Sequence, residues 1–106
     1  MVTIDDFKKL EIKIAKILDV QDHPTADRLY IVRVSLGDKE KQLVAGIKNS
    51  YSKEELMSKL VIVVDNLEPA VIRGKASEGM LLAAKDSKGI TVLTTDREVE
   101  LGSPVS

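Results

Sequence analysis

The chain has 106 residues, 43% hydrophobic and 31% charged, with Lys plus Arg at 16, Asp plus Glu at 17 and a net charge of −1. That is material for one domain, residues 1–106, around one core, and it disfavours a nucleic-acid binder held by bulk positive charge, although a partner feels local potential as well as the total. The absence of cysteine excludes disulfides, thiolate zinc sites, iron–sulfur clusters and cysteine nucleophiles.

One histidine, His23, and three aromatic residues, Phe7, Tyr30 and Tyr51, limit the chemistry further. A single histidine cannot build a histidine-based metal site, and no Gly-x-Ser-x-Gly elbow supports a triad. Three aromatics cannot form a long stacking platform for single-stranded bases. The composition points away from an enzyme and calls for no metal or cofactor. Lack of cysteine fits a reducing compartment. No apolar run approaches the ~18 residues of a membrane span, and MVTIDDFKK lacks a signal-peptide core, so a cytoplasmic protein is expected.

Residues 3–10 begin with a helical signal: Asp5 or Asp6 can cap a short turn that sets Phe7 and Leu10 on one face. In residues 11–20, Ile12, Ile14, Leu18 and Val20 alternate with polar neighbours, as in a half-buried strand. Lys16 and Ile17 break that alternation, which predicts a bulge or sharp bend near Ala15–Lys16. Residues 21–28 are a polar loop in which Pro24 holds His23 extended. Residues 29–36 alternate again, Gly37 to Lys39 turns the chain, and residues 41–46 return as a hairpin.

Ser52 and Glu55 form a capping box ahead of Leu56, Met57 and Leu60, the one clear helix. LVIVVD, residues 60–65, reads as a central strand. Ala70 to Arg73 is a short strand and Gly74 to Gly79 a loop. Residues 80–85 and 90–94 are strands joined by a turn at Asp86–Gly89, and a mixed tail holds Pro104. A long bent first strand, with one helix between the third and fourth strands, marks an OB-fold: a five-stranded Greek-key barrel, all-β with one short helix, carrying added N- and C-terminal segments.

Charge is uneven along the chain. Residues 28–48 hold five bases and two acids, whereas residues 86–106 hold two bases and four acids. Ordinary solvated lysines are the plainer reading of this; a basic face hidden by the total is the other. His23 lies beside Asp22 and Asp27, but no nucleophile or second base is near, so a structural histidine is expected. Residues 72–80, IRGKASEGM, place two glycines, two bases and a serine between apolar strands. Arg73 and Lys75 can meet phosphate and Ser77 can donate to a phosphate or ribose oxygen. The plainer alternative is a glycine-rich turn beside a buried methionine. It is not a P-loop, because no Gly-Lys-Ser/Thr opens a helix.

Three runs in order, DHPTADRLY, VAGIKNSYSKEELMSKLVIVVDNLEPA and SEGMLLAA, resemble the tRNA-binding domain family. That family includes the C-terminal domain or beta subunit of methionyl-tRNA synthetase and stand-alone bacterial tRNA-binding proteins. The resemblance covers about Asp6 to Val105. It implies an OB-fold, usually homodimeric when it stands alone, that binds tRNA by shape at the outer corner of the L. Ser77 and Met80 match family positions implicated in tRNA binding, and Arg28 stands where relatives often carry Lys. Lys48, Asn49, Arg73 and Lys75 are added from charge and loop position. The implied partners are tRNA, a second copy and the catalytic chain of methionyl-tRNA synthetase. A dimeric export-linked chaperone of the same fold resembles the N-terminal MVTIDDFKKLEI, but it usually lacks the HPTADRLY and SEGM patterns. The tail, residues 95–106, and the N-terminal turn lie outside the expected five-stranded barrel and are the expected dimer surface; a pure synthetase dimerisation module, which the tail's Val99, Leu101 and Val105 would suit, is a further alternative.

Overall fold

A computed structural model describes all residues, Met1–Ser106. The chain opens with a short helix α1, Ile4–Lys8, followed by β1, Ile12–Asp22, β2, Tyr30–Ser35, and β3, Glu40–Ala45. After α2, Lys53–Leu56, come β4, Leu60–Val64, β5, Ala70–Ile72, and β6, Lys75–Ser77. The last strands are β7, Met80–Leu81, β8, Ala83–Asp86, β9, Gly89–Val92, and β10, Pro104–Val105. The main sheet runs in the order β3-β2-β1-β4-β7, all antiparallel. Glu78 closes it into a nearly complete barrel: its N–H donates to the Gln42 carbonyl at 2.8 Å, and its carboxylate accepts from the Gln42 N–H at 2.8 Å. This is the expected OB-type barrel.

β1 is the hub. Ile12 pairs with Val64 of β4 and Val105 of β10, and from Lys16 onward the β10 side of the strand is taken by β2. Ile14 and Ala15 are consecutive and both buried, because the strand changes which face looks inward where its neighbours change. The register slips between Ile17 and Asp19, two residues beyond the expected bend, and this brings Val20 back to the interior. The core is aliphatic, with Ile17, Val32, Val34, Leu43, Leu56, Val61 and Val63 almost fully enclosed. Tyr30 and Tyr51 act as struts: the Tyr30 hydroxyl donates to the Tyr51 carbonyl at 2.7 Å, and the Tyr51 hydroxyl accepts from the Val92 N–H at 3.0 Å.

Ser52 and Glu55 form the expected capping box. α1 has a capping box too, but its cap is Thr3, with Asp6 reaching back, instead of Asp5 or Asp6. Three further expectations are corrected. Residues 74–79 are not a loop: Lys75–Ser77 pairs with Ala70–Ile72, and Arg73 and Gly74, at φ 52° and 86°, make the tight turn whose left-handed pair suits a two-residue hairpin. The strand expected at 80–85 is two strands, because β7 pairs with β4 and β8 with β9. The tail is not outside the sheet: β10 pairs with β1, and the Gly102 N–H donates to the Ile14 carbonyl at 2.7 Å.

Candidate nucleic-acid interface

The loop between β1 and β2, residues 23–29, meets the tip of the β5–β6 hairpin. His23 is the joint. Its Nδ1 accepts from the Thr25 N–H at 3.1 Å, so the ring proton lies on Nε2, which faces the Ile72 carbonyl at 3.2 Å. The ring is buried and serves as the expected structural histidine. Arg73 adds a second tie, donating to the Thr25 carbonyl at 3.2 Å. Arg28 and Arg73 line one small cleft of about 400 Å³ with residues 25–27. Lys75 follows on the same hairpin, exposed. None of Arg28, Arg73 and Lys75 has a carboxylate within ion-pair distance. Two free cations, Arg28 and Arg73, are thus brought from separate segments to one cleft, and Lys75 lies two residues beyond Arg73 on the same hairpin.

Lys48 differs: it pairs with Asp22 at 3.1 Å, and Lys53 reaches the other oxygen of that carboxylate at 3.3 Å. The ammonium of Lys48, helped by Lys53, holds the Asp22 carboxyl below its ordinary range, against the opposing effect of its own partial desolvation. Part of the Lys48 charge is thus already spent on Asp22. Asn49 is exposed in the turn after it, away from any hydrogen bond of its own side chain.

Ser77 and Met80 exchange the roles their chemistry suggested. Ser77 is only 4% exposed, and its hydroxyl accepts from the Val44 N–H at 3.0 Å and donates to the Gly79 carbonyl at 3.0 Å. It fastens the hairpin to the edge of β3 and has no proton left for a ligand. Met80, read in the plainer alternative as buried, is 55% exposed.

What seats the hairpin base was not legible in the sequence. The Asp65 side chain is 3% exposed, and its carboxylate receives Lys41 at 2.6 Å and Lys13 and Lys39 at 3.0 Å each. Lys41 also donates to the carbonyls of Asp65 at 2.7 Å and Glu78 at 3.2 Å. Burial alone would raise the Asp65 carboxyl; the three ammonium groups outweigh it and hold it well below the usual carboxylate range. Nothing in the local pattern of LVIVVD announces this: the three lysines come from β1, the β2–β3 turn and β3.

A groove of about 540 Å³ runs between the β5–β6 hairpin and β8, floored by Val44, Ile47, Leu81 and Ile90. Leu67, Ala70, Ile72, Met80, Ala83 and Ala84 form much of its walls.

The family model of the tRNA binding domain matches residues 12–104. The chain belongs to the tRNA-binding domain family. A methionine–tRNA ligase from Nanoarchaeum equitans is 53% identical over 105 residues, covering 99% of this chain and 14% of that protein. A methionine–tRNA ligase from Thermotoga maritima is 45% identical, covering 99% of this chain and 17% of that protein. The chain thus spans about one-seventh of the length of these relatives. Among solved structures, a MetRS-related protein from Pyrococcus horikoshii superposes with TM-score 0.92 at 29% identity over 100% of this chain and 98% of its own. The CsaA chaperone protein from Picrophilus torridus superposes with TM-score 0.94 at 34% identity, with 100% of both chains covered.

Proposed function

We propose that this domain binds folded tRNA by shape, without catalysing a reaction, and that it raises the local tRNA concentration for a methionyl-tRNA synthetase catalytic unit. The observation that carries this is the meeting of Arg28 and Arg73, neither ion-paired, in one cleft at the joint between two tethered loops, with unpaired Lys75 next along the hairpin. Folded RNA hides its base edges in a deep groove, so backbone phosphates and 2′-hydroxyls are what a protein meets first. Cations held at such a joint suit this target; we assign Lys48, paired with Asp22 next to His23, and Asn49 and Met80 to the same contact. Ser77 contributes by holding the hairpin. No helix is long and apolar enough to cross a membrane, and we place the protein in the cytoplasm, with tRNA and its synthetase.

A homodimer completes the reading. α1 buries none of its residues and leaves Ile4, Phe7 and Leu10 open, with Val2 beside them. Because residues 102–105 of the tail are bonded to β1, the N-terminal segment supplies most of the apolar surface for a second copy, with Val99 the tail's contribution. A mass near 12 kDa by light scattering at micromolar concentration excludes the dimer.

Gel shifts with folded tRNA, heat-unfolded tRNA and duplex RNA at two salt concentrations test the function. Folded tRNAs with different anticodons bind within a few-fold of each other, unfolded tRNA binds worse, and affinity falls with salt as counterions are released. A hundred-fold preference for one anticodon overturns it. The likeness to the CsaA chaperone supports a second reading, polypeptide binding. It prevails if Arg28→Ala and Lys75→Ala keep full tRNA affinity and lose an unfolded polypeptide.

A further inference from the structure

We infer that the groove between the β5–β6 hairpin and β8 receives an unstacked nucleobase of the bound RNA, with Met80 against its face; this rests on the tRNA-binding reading above. Ser77 and Met80, the two ends of the SEGM run, are divided by the fold. The Ser77 hydroxyl is enclosed and has both its hydrogen bonds within the protein, so it has no donor to offer. Met80 alone reaches the surface, and a thioether neutralises no phosphate. What it can cover is an aromatic ring, against which a methionine sulfur packs favourably.

The groove it borders has the matching character. Its floor is aliphatic, its volume of about 540 Å³ lies in the ~300–1,000 Å³ range of small-ligand pockets, and the flat face of a base is the least polar surface an RNA can supply. Sugar–phosphate backbone laid over this floor would lose water from its charged oxygens with nothing to replace it. The hydrogen-bonding edge of a base has partners here as well. β5 and β8 both line the groove, and each is paired on one side only, which leaves backbone N–H and C=O groups on the other. Charge favours RNA over an apolar peptide. Arg28 and Arg73 share the cleft at the hairpin end, Lys75 follows Arg73 across the turn and Lys85 is in the groove wall. One carboxylate, Glu68, lines the groove against them. Sequence-tolerant recognition follows, since every base presents a flat face while the cations hold the backbone.

The test uses folded tRNA and the full chain. Met80→Ala should weaken binding about two- to ten-fold, the loss expected when a methionine–aromatic contact goes, with an unchanged melting temperature and an unchanged dependence on salt. Met80→Leu should restore most of the affinity. Ala70→Trp, which fills the groove from its wall without altering charge, should also weaken binding. Lys75→Ala is the contrast: it should reduce the salt slope by about one unit. Chemical modification of unpaired bases with dimethyl sulfate and carbodiimide should show a base whose reactivity changes on binding wild-type protein and not on binding Met80→Ala. If wild-type protein binds no folded tRNA, the functional reading falls and the groove assignment with it. If tRNA binds and Met80→Ala and Ala70→Trp bind as tightly as wild type, the groove assignment alone is wrong. An extended leucine-rich peptide that occupies the groove while tRNA stays bound gives the groove to polypeptide and also overturns the assignment.

Discussion

Asp65→Asn removes one negative charge and almost no volume, which makes it the sharpest probe of the cluster at the hairpin base. In the native protein the carboxylate is enclosed, at 3% side-chain exposure, while Lys41, Lys13 and Lys39 retain 18%, 25% and 44%. Breaking an ion pair by removing one buried partner costs about 3–5 kcal/mol when the other charge stays buried. Here the lysines have outlets: Lys39 can turn to water, Lys13 keeps Glu11 at 3.7 Å, and Lys41 keeps the carbonyls of Asp65 and Glu78. The loss at neutral pH should therefore fall at the low end, about 3 kcal/mol, a large share of the ~5–15 kcal/mol of a typical domain. Urea unfolding with an unchanged m-value measures it. The pH dependence supplies the control. The folded-state carboxyl is held below its ordinary 3.8, so its contribution is complete above that pH and is lost as pH falls through the folded value. The gap between wild type and Asp65→Asn should be constant from pH 7 to about 4 and shrink below it. A loss under ~1 kcal/mol at pH 7, or a gap equal at pH 7 and pH 2, refutes the reasoning.

Further outcomes follow from other contacts. Gly79→Ala would set a Cβ 2.9 Å from the Val64 carbonyl oxygen and 3.2 Å from Leu43 Cδ2, so thermal unfolding should show a loss of roughly 1–3 kcal/mol. Gly102→Ala meets the Leu36 carbonyl oxygen at 2.5 Å with φ at +83°, and should lower the melting temperature further than Gly79→Ala does. Tyr51→Phe orphans the Val92 N–H and should cost about 1–3 kcal/mol in denaturant titration. Deleting residues 95–106 should destabilise the monomer itself, because β10 pairs with Ile12 and Lys13 while Gly102 and Ser103 hydrogen-bond to Ile14; urea unfolding of a dilute sample identical to the full chain would contradict that.

The alternation of β2, the hairpin to β3 and the Ser52–Glu55 box were legible because each is a local signal of period, turn or cap. The barrel followed from element order. The hairpin at Arg73–Gly74 was missed because residues 70–77 give too few positions for a period to show, and Arg73 is a poor advertisement for a left-handed turn. Arg28, Arg73 and Lys75 were recognisable as basic loop residues, yet the meeting of Arg28 with Arg73 depends on His23 and Thr25, whose partners lie nearly fifty residues away. The Ser77 and Met80 assignment came from resemblance, and motif position cannot say which way a side chain points. The Asp65 cluster left no trace, since four residues from four segments meet only in three dimensions.

The hub position of β1 has a consequence for the order of assembly during synthesis. β2 covers one edge of β1 only from Lys16 onward, and the stretch at Ile12 and Lys13 on that edge waits for Pro104 and Val105. Some ninety residues separate these partners, so closing this pairing is the most entropically remote step in the sheet. Until then a newly made chain carries an open strand edge bearing Ile12 and Ile14, the kind of edge on which a neighbouring nascent chain can add a strand. Chains stalled before residue 104 should thus be more prone to aggregate than their loss of stability alone would suggest.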